Sequence, residues 1–330
     1  MLNQFKTLIK KIIGPHIFGQ ISPFWHGGRG FLASFYFGNP SKKMNLIGIT
    51  GTKGKTSTTV LTARILNKVG IKTGFLTTAL MFDGEREIQN PTHMSTIDSW
   101  KLQKFLAKCQ QNGCQNMVLE LSSQGLEQNR HWGLSALQIG VFLNIYPEHL
   151  QAHGSWENYK KAKAKLFKLV KKNGVAIVNG DLKMRENSNF MVSFGQNLKK
   201  IFIQKDLESE NQNSLEILGK RESFQFYNIL ENGEFYKTLL WQVSGREIEQ
   251  KNKDLNSTKP NLAEQKNEKI LKLSTKMTAD YELTNLVFAL TICQNLNPSF
   301  QPTSEFIAKI STKIPGRMEW VVVKNELFTN

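Results

Sequence analysis

The sequence predicts an α/β fold: a P-loop-type, mostly parallel sheet flanked by helices, with a small β-rich subregion. Three observations carry that expectation. Residues 46–59, Leu-Ile-Gly-Ile-Thr-Gly-Thr-Lys-Gly-Lys-Thr-Ser-Thr-Thr, pass from an apolar run through a glycine turn into a helical pattern. From Met44 onward, short apolar runs alternate with segments of helical period, as βα units do. Beyond Lys199 the texture changes to short strand-like pieces, with Asn232-Gly233 as a hairpin signal.

The run ending at Ile49 reads as a buried strand, and Thr58 onward, with Val60, Leu61, Ala63, Ile65 and Leu66, reads as a helix. Between them, Gly51 and Gly54 let the backbone fold closely around an anion, with Thr52 and Lys53 in the turn and the positive end of the helix aimed inward. Lys55 would add a point charge for the β/γ-phosphates of a nucleotide, and the Thr56 hydroxyl a ligand for Mg²⁺. Ile49 stands where the common G-x-x-x-x-G-K-[ST] pattern has glycine, so this is a shorter form of the loop.

With 330 residues and 40% hydrophobic content the chain can build a sizeable core. The net charge of +16 suits anionic partners, and the phosphate loop makes nucleotides the economical choice; nucleic acid rests on net charge alone. Cys109, Cys114 and Cys293 show no metal-type spacing, which fits buried thiols in a reducing cytoplasm. No apolar stretch approaches the roughly 20 residues of a membrane span, and Lys6, Lys10 and Lys11 interrupt any signal-peptide core.

Taken in order, residues 1–43 carry six Lys or Arg and no acid. Leu2, Phe5, Leu8, Ile9, Ile12 and Ile13 recur at helical spacing. A basic amphipathic helix of this kind can lie on an anionic membrane surface, but the expectation is that it and the aromatic segment Phe24–Phe37 pack on the body of the protein. The helix after the loop runs to about Lys68 with Gly70 as its stop, and Thr73–Thr78 makes a strand. Asp98 caps a helix ending at Gly113, and Asn116–Leu121 and Leu137–Asn144 read as strands buried on both faces. Ser155 caps a lysine-rich helix to about Lys171, followed by strand Val175–Val178. Residues 246–268, with five basic and five acidic side chains among few apolar ones, read as a flexible insertion. Helices are expected over Thr278–Gln294 and Ser304–Thr312.

Glu120 ends a predicted strand, where a carboxylate reaches Mg²⁺ held at the phosphate loop; a structural hydrogen-bonding role is the alternative. His149 and His153 follow the next strand, but without a His-Glu-x-x-His pattern they do not read as a zinc site. A single His or Glu near a second divalent ion fits the segment better. Lys163 is one of seven lysines between 160 and 172, and spacing alone does not say that any of them points inward.

Five ordered motifs are similar to the Mur ligases, in particular the UDP-N-acetylmuramoyl-tripeptide synthetase branch. They are Gly51-Thr-Lys-Gly-Lys-Thr-Ser, Glu120-Leu-Ser-Ser-Gln-Gly-Leu with Arg130, Asn144 with Glu148-His149-Leu and His153-Gly, Tyr159 with Lys163-Ala-Lys-Leu-Phe, and Ile314-Pro-Gly-Arg-Met-Glu. The resemblance implies a cytoplasmic, ATP- and Mg²⁺-dependent ligase of peptidoglycan precursor synthesis. ATP would phosphorylate the terminal carboxylate of UDP-N-acetylmuramoyl-dipeptide, and an amino acid's amine would attack the acyl phosphate. It places Gly51 to Ser57, Asn285 and Arg317 at the nucleotide, and Thr56, Glu120 and His149 at metal ions. Lys163 matches the family's carbamylated lysine, which supports the second metal. Ser95, Thr96, Ser122 and Arg130 match positions at the UDP-muramoyl substrate.

The sequence departs from the family pattern at Gln151, where Asp is frequent, at Gln124, where His is frequent, and at Glu282, where Asn is frequent. Residues 1–43 stand where the family has a uridine-binding domain, residues 44–313 read as the central ATP-binding domain, and residues 314–330 as the start of a C-terminal domain. The expectation is either a truncated or split gene product or a separate chain that supplies the last domain, with the ligation incomplete in this chain. A folylpolyglutamate synthetase-like ligase and a non-catalytic ATP-binding scaffold are the alternatives. The Glu-Leu-Ser-Ser and Arg130 context favours the muramoyl substrate over the first, and the retained Lys55, Thr56, Glu120, His149 and Lys163 argue against the second.

Overall fold

The computed structural model describes residues 24–25, 27–148, 150–195, 197–205, 222–231, 237–242, 246–247, 270–275, 279–310 and 314. A helix over residues 27–36 (α1) leads to Asn45–Thr50 (β1), Lys55–Lys68 (α2), Thr73–Leu76 (β2), Leu80–Phe82 (β3), Glu87–Gln89 (β4), Ser99–Gln111 (α3) and Asn116–Glu120 (β5). Next come Ser123–Glu127 (α4), Leu137–Phe142 (β6), Leu150–His153 (α5), Trp156–Lys168 (α6), Val170–Asn179 (β7), Leu182–Ser193 (α7) and Lys199–Lys205 (β8). Glu222–Glu231 (β9), Lys237–Gln242 (β10), Arg246–Glu247 (β11), Ile270–Thr275 (β12), Asp280–Leu296 (α8) and Ser304–Ala308 (α9) follow.

The strands form one sheet in the order β12-β10-β9-β8-β7-β6-β1-β5-β2-β3-β4, with β11 on β9. From β2 across to β9 every pairing is parallel, and both edges are antiparallel. The β-rich subregion expected after Lys199 is thus a continuation of the main sheet, because β8 pairs directly with β9. Alternation along each strand divides the core into two layers. Ile47, Ile49, Val118, Val141 and Ile177 face α2 and α8, while Leu46, Met117, Leu119, Phe142 and Val178 face α3, α6 and α7. Each such side chain contributes about 1.5–3 kcal/mol by leaving water.

Several local expectations are met, and others need correction. Asp98 accepts from the Trp100 N–H at 3.0 Å and Ser155 from the Asn158 N–H at 3.1 Å, so both caps stand. Helix α2 begins at Lys55 rather than Thr58, because Gly54 takes φ +82° and turns the chain into the helix at once. Strand β2 stops at Leu76, and the next residues leave the sheet for the site. Arg246 and Glu247 pair with β9, so the insertion does not begin at 246; most of it, and the Asn232-Gly233 turn, lie outside the described residues.

The aromatic segment departs most from expectation. The small residues of α1 face the body: a Cβ on Gly27 would stand 2.1 Å from the Trp132 ring, and one on Gly30 would stand 2.0 Å from the Trp132 carbonyl oxygen. So close an approach admits no large side chain, and Phe24, Trp25, Phe31, Leu32, Phe35 and Tyr36 are left exposed.

Candidate functional site

Strand order turns about β1, whose neighbours β5 and β6 carry the chain off on either side. Ligands of open α/β sheets bind outside the carboxyl ends of strands at such a point. The loop residues, Glu120, Lys163 and Asn285 gather there. Gly51 to Gly54 form the turn between β1 and α2, and Lys55, Thr56 and Ser57 are the first helical residues. The loop is a tight one, since a Cβ on Gly54 would stand 2.4 Å from Asn285 Oδ1. Asn285 comes from α8 and also accepts from the Thr58 hydroxyl at 3.3 Å, which places it against the loop as expected.

Parallel pairing sets Ile49 beside Glu120, bringing the end of β5 to the loop. Thr56 Oγ1 donates to Glu120 Oε2 at 2.8 Å. Thr78, just past β2, holds the same carboxylate twice: its N–H donates to Oε2 at 3.0 Å and its hydroxyl to Oε1 at 3.0 Å. Glu120 is 3% exposed, so a buried carboxylate is fixed by three donors and aimed at the phosphate loop.

Lys163 resolves the ambiguity of its lysine-rich helix. It is 2% exposed, and its Nζ donates to the Gly51 carbonyl at 2.8 Å and lies 4.8 Å from the centre of the Tyr159 ring. Burial first, and the neighbouring Lys55 charge second, hold its amine well below the ordinary lysine range. Lys55 Nζ donates to the Thr52 carbonyl at 3.0 Å, whereas exposed Lys53 reaches outward to Glu148 at 3.9 Å.

A second cluster stands beside the first. Ser122 N–H donates to Thr96 Oγ1 at 3.1 Å, the two hydroxyls are 3.3 Å apart, and Arg130 Nη1 donates to the Thr96 carbonyl at 3.0 Å. Half-buried Ser95 belongs to the same loop. His149 and Arg317 lie outside the described residues. His153, whose Nε2 is 3.0 Å from Ser123 Oγ and Nδ1 2.9 Å from Glu127 Oε2, ties α5 to α4.

Sequence reasoning missed Thr78 and the role of Asn144. Asn144 Oδ1 accepts the N–H groups of Thr52 at 3.0 Å and Lys53 at 2.9 Å, and its Nδ2 donates to the Lys53 carbonyl at 3.2 Å. It braces the loop across 92 positions of sequence. Its place at the end of an apolar run was a signal; the partner was not legible.

The donor set fits a nucleotide with a hard divalent cation. Gly54 lets the loop turn tightly against Asn285 into the N-terminus of α2, and Thr56 and Glu120 supply oxygen ligands of the type Mg²⁺ takes. Among the described residues no cluster of three or more His, Cys, Asp or Glu gathers as a self-sufficient metal cage. Mg²⁺ does not require one, since it is usually held by one or two carboxylates, phosphates and water.

Comparison with known proteins agrees with this arrangement. The UDP-N-acetylmuramoyl-L-alanyl-D-glutamate–2,6-diaminopimelate ligase of Parabacteroides distasonis is 38% identical over 153 residues, covering 46% of this chain and 31% of that protein. The UDP-N-acetylmuramyl-tripeptide synthetase of a Roseiflexus species is 37% identical over 162 residues, covering 46% and 32%. The chain thus spans about a third of the length of these relatives. Among solved structures, a UDP-N-acetylmuramoyl-L-alanyl-D-glutamate–2,6-diaminopimelate ligase superposes with TM-score 0.55 at 21% identity, covering 80% of this chain and 46% of that one. The Mycobacterium tuberculosis folylpolyglutamate synthase also reaches 0.55 at 12% identity, covering 84% and 61%, so the fold is common to both enzymes. Residues 49–236, more than half of the chain, match the Mur ligase middle domain, and the chain belongs to that family.

Proposed function

We propose that this chain binds ATP and activates a carboxylate for an ATP-dependent ligase of peptidoglycan precursor synthesis, which joins an amino acid to UDP-N-acetylmuramoyl-dipeptide. The observation that carries the reading is the Thr56–Glu120 contact at the mouth of the phosphate loop, with Lys163 buried beside Gly51. This concentrates oxygen ligands and positive charge where two anions, a triphosphate and a carboxylate, must meet.

In this reading the N–H groups of Gly54 to Ser57, at the positive end of α2, cradle the phosphates while Asn144 holds those of Thr52 and Lys53, and Lys55 turns from the Thr52 carbonyl to neutralise them. Thr56 and Glu120 would hold Mg²⁺, and Asn285 and Arg317 would contact the nucleotide. Bound Mg²⁺ supplies charge neutralisation on the transferring phosphoryl group. Thr78 keeps the Glu120 carboxylate oriented. Ser95, Thr96, Ser122 and Arg130 bind the anionic muramoyl substrate, whose carboxylate attacks the γ-phosphorus with ADP leaving. The amino acid's amine then attacks the acyl carbon; phosphate leaves, and the amine loses a proton. The lowered basicity of Lys163 keeps an unprotonated amine available to add CO₂, forming a carbamate and releasing a proton. That carbamate, with His149, would serve the second metal. The reaction is assigned to the cytoplasm, where ATP is available.

The test is incubation of the chain with Mg-ATP, UDP-N-acetylmuramoyl-dipeptide and a panel of amino acids, measuring phosphate release and tripeptide. Product that disappears in Lys55→Ala supports the proposal. Dipeptide-dependent ATP binding without product places amino-acid selection outside residues 1–330. Failure to bind ATP sinks it.

A further inference from the structure

Helix α1 is amphipathic in the inverse sense. Gly27, Gly30, Ala33 and Ser34 face the protein, and the bulky side chains face outward. Phe24, Trp25, Phe31, Leu32, Phe35 and Tyr36 are exposed, from 46% at Trp25 to 81% at Phe35. Phe31 and Phe35 recur at the spacing of one helix face, with Leu32 beside them, on a helix about 15 Å long, and Phe24 and Trp25 stand exposed before its start. An apolar surface this continuous is uncommon on a protein bathed only in water.

Its surroundings are positively charged. Between residues 27 and 43 there is no acidic residue, and Lys42 and Lys43 at its end are exposed. Tyr36 and Phe37 rest on Trp100 of α3, with ring centroids 5.4 and 5.7 Å away, which brings exposed Lys101 and Lys104 alongside. Helix α3 also carries no acid, and Asp98 before it is occupied by Arg29 at 3.1 Å. On the other flank, Phe31 and Trp132 line a cleft of about 310 Å³ with Lys168 on its wall.

We infer that the outer face of α1 docks on the surface of a bilayer containing anionic phospholipid. An apolar stripe edged by Trp and Tyr and ringed by lysines matches the acyl–headgroup boundary, with aromatic groups at interfacial depth and cations at the phosphates. The helix lies in the plane of the surface, since no described helix is long and apolar enough to cross a membrane. A second copy of the chain is a poorer occupant because it would bring one basic surface against another. An acidic protein would match the charge but gives no reason for six large exposed apolar groups. The inference stands on the surface alone and does not depend on the ligase reading.

The experiment is co-sedimentation of the full chain with vesicles of phosphatidylcholine, or of phosphatidylcholine with 30% phosphatidylglycerol (about one anionic lipid in three), at low and high salt. Binding to the anionic vesicles is expected, weakened by salt and weak on neutral ones. Leu32→Ser with Phe35→Ser, two exposed positions outside the phosphate-loop site, should lower the partition coefficient at least tenfold, while thermal stability and ATP binding stay unchanged. No binding to anionic vesicles overturns the inference. So does binding that the double variant leaves intact, which would place the contact elsewhere in the chain. Concentration-dependent dimerisation lost in the variant, without vesicle binding, would assign the face to a second copy and equally overturn it.

Discussion

The Lys163 amine donates to the Gly51 carbonyl at 2.8 Å, joining α6 to the first residue of the phosphate loop across 112 positions of sequence. A lysine buried at 2% exposure has no solvent to share its proton, and the Lys55 charge opposes protonation further. The contact links the loop's shape to the chemistry proposed for the amine.

Lys163→Ala should reduce ligase turnover on the order of 10²–10³-fold, the scale of losing one preorganised electrostatic group. Short carboxylic acids such as acetate should restore part of it by occupying the carbamate's place. Lys163→Met, which keeps the packing, should be rescued less well because no space opens. Equal rescue of both variants, or of neither, would count against a carbamate at this position.

Asn144→Ala removes the side-chain acceptor of the Lys53 N–H and one of the two acceptors of the Thr52 N–H, which keeps the backbone carbonyl of residue 144. Losing side-chain hydrogen bonds of this kind costs about 0.5–1.5 kcal/mol each. Because the loss falls on the loop, ATP affinity measured by calorimetry should weaken at least tenfold, on the order of the same 1.4 kcal/mol. Unchanged affinity would show that the loop keeps its shape without the brace.

Gly54→Ala meets two obstacles. The backbone sits at φ +82°, and the new Cβ would stand 2.4 Å from Asn285 Oδ1. Strain at such a position costs about 1–3 kcal/mol. Thermal denaturation should show the loss, and adding Asn285→Ala should recover only part of it, since the second change relieves the contact and not the dihedral. Full recovery would mean that the dihedral carries no strain.

His131 makes stability fall in mild acid. Burial first, and the Lys165 charge second, push its imidazole down to about 4 from an ordinary value of 6.5. The folded value lies below the unfolded one, so the unfolded chain binds the extra proton between those limits. The stabilisation is therefore complete above pH 6.5 and is lost as pH falls toward 4, by about 3 kcal/mol. His131 Nδ1 has no hydrogen-bond partner among the described residues, so His131→Phe keeps the packing and removes the titration. Denaturant midpoints measured from pH 7 to pH 4 should fall more steeply for the native chain than for the variant. Parallel curves would remove His131 as the cause.

Much of the site was legible because its chemistry is local. Gly51, Gly54, Lys55 and Thr56 are consecutive enough for their roles to follow from one turn between a strand and a helix. Glu120 could be placed because a strand-end carboxylate in a parallel sheet has a defined neighbourhood. Lys163 could not be placed by spacing, since the five lysines of α6 share the same local pattern and only the packing of the helix decides which is buried. Thr78 and Asn144 were illegible for a related reason: a Thr after a short strand and an Asn after another gain meaning only from what lies across the sheet.

By itself the sequence determined the phosphate loop, the alternation of strands and helices, the caps at Asp98 and Ser155, and the set of residues that resemble a Mur ligase site. These follow from covalent neighbours, from side-chain periodicity and from the conformational freedom of glycine. Tertiary structure alone decided that the strands after Lys199 extend the same sheet, that Lys163 and not its neighbours meets Gly51, and that Asn144 braces the loop. It also decided which side of α1 faces outward. An amphipathic pattern tells which residues share a face, but the approach of Trp132 admits only the glycine side, and so the aromatic side faces outward.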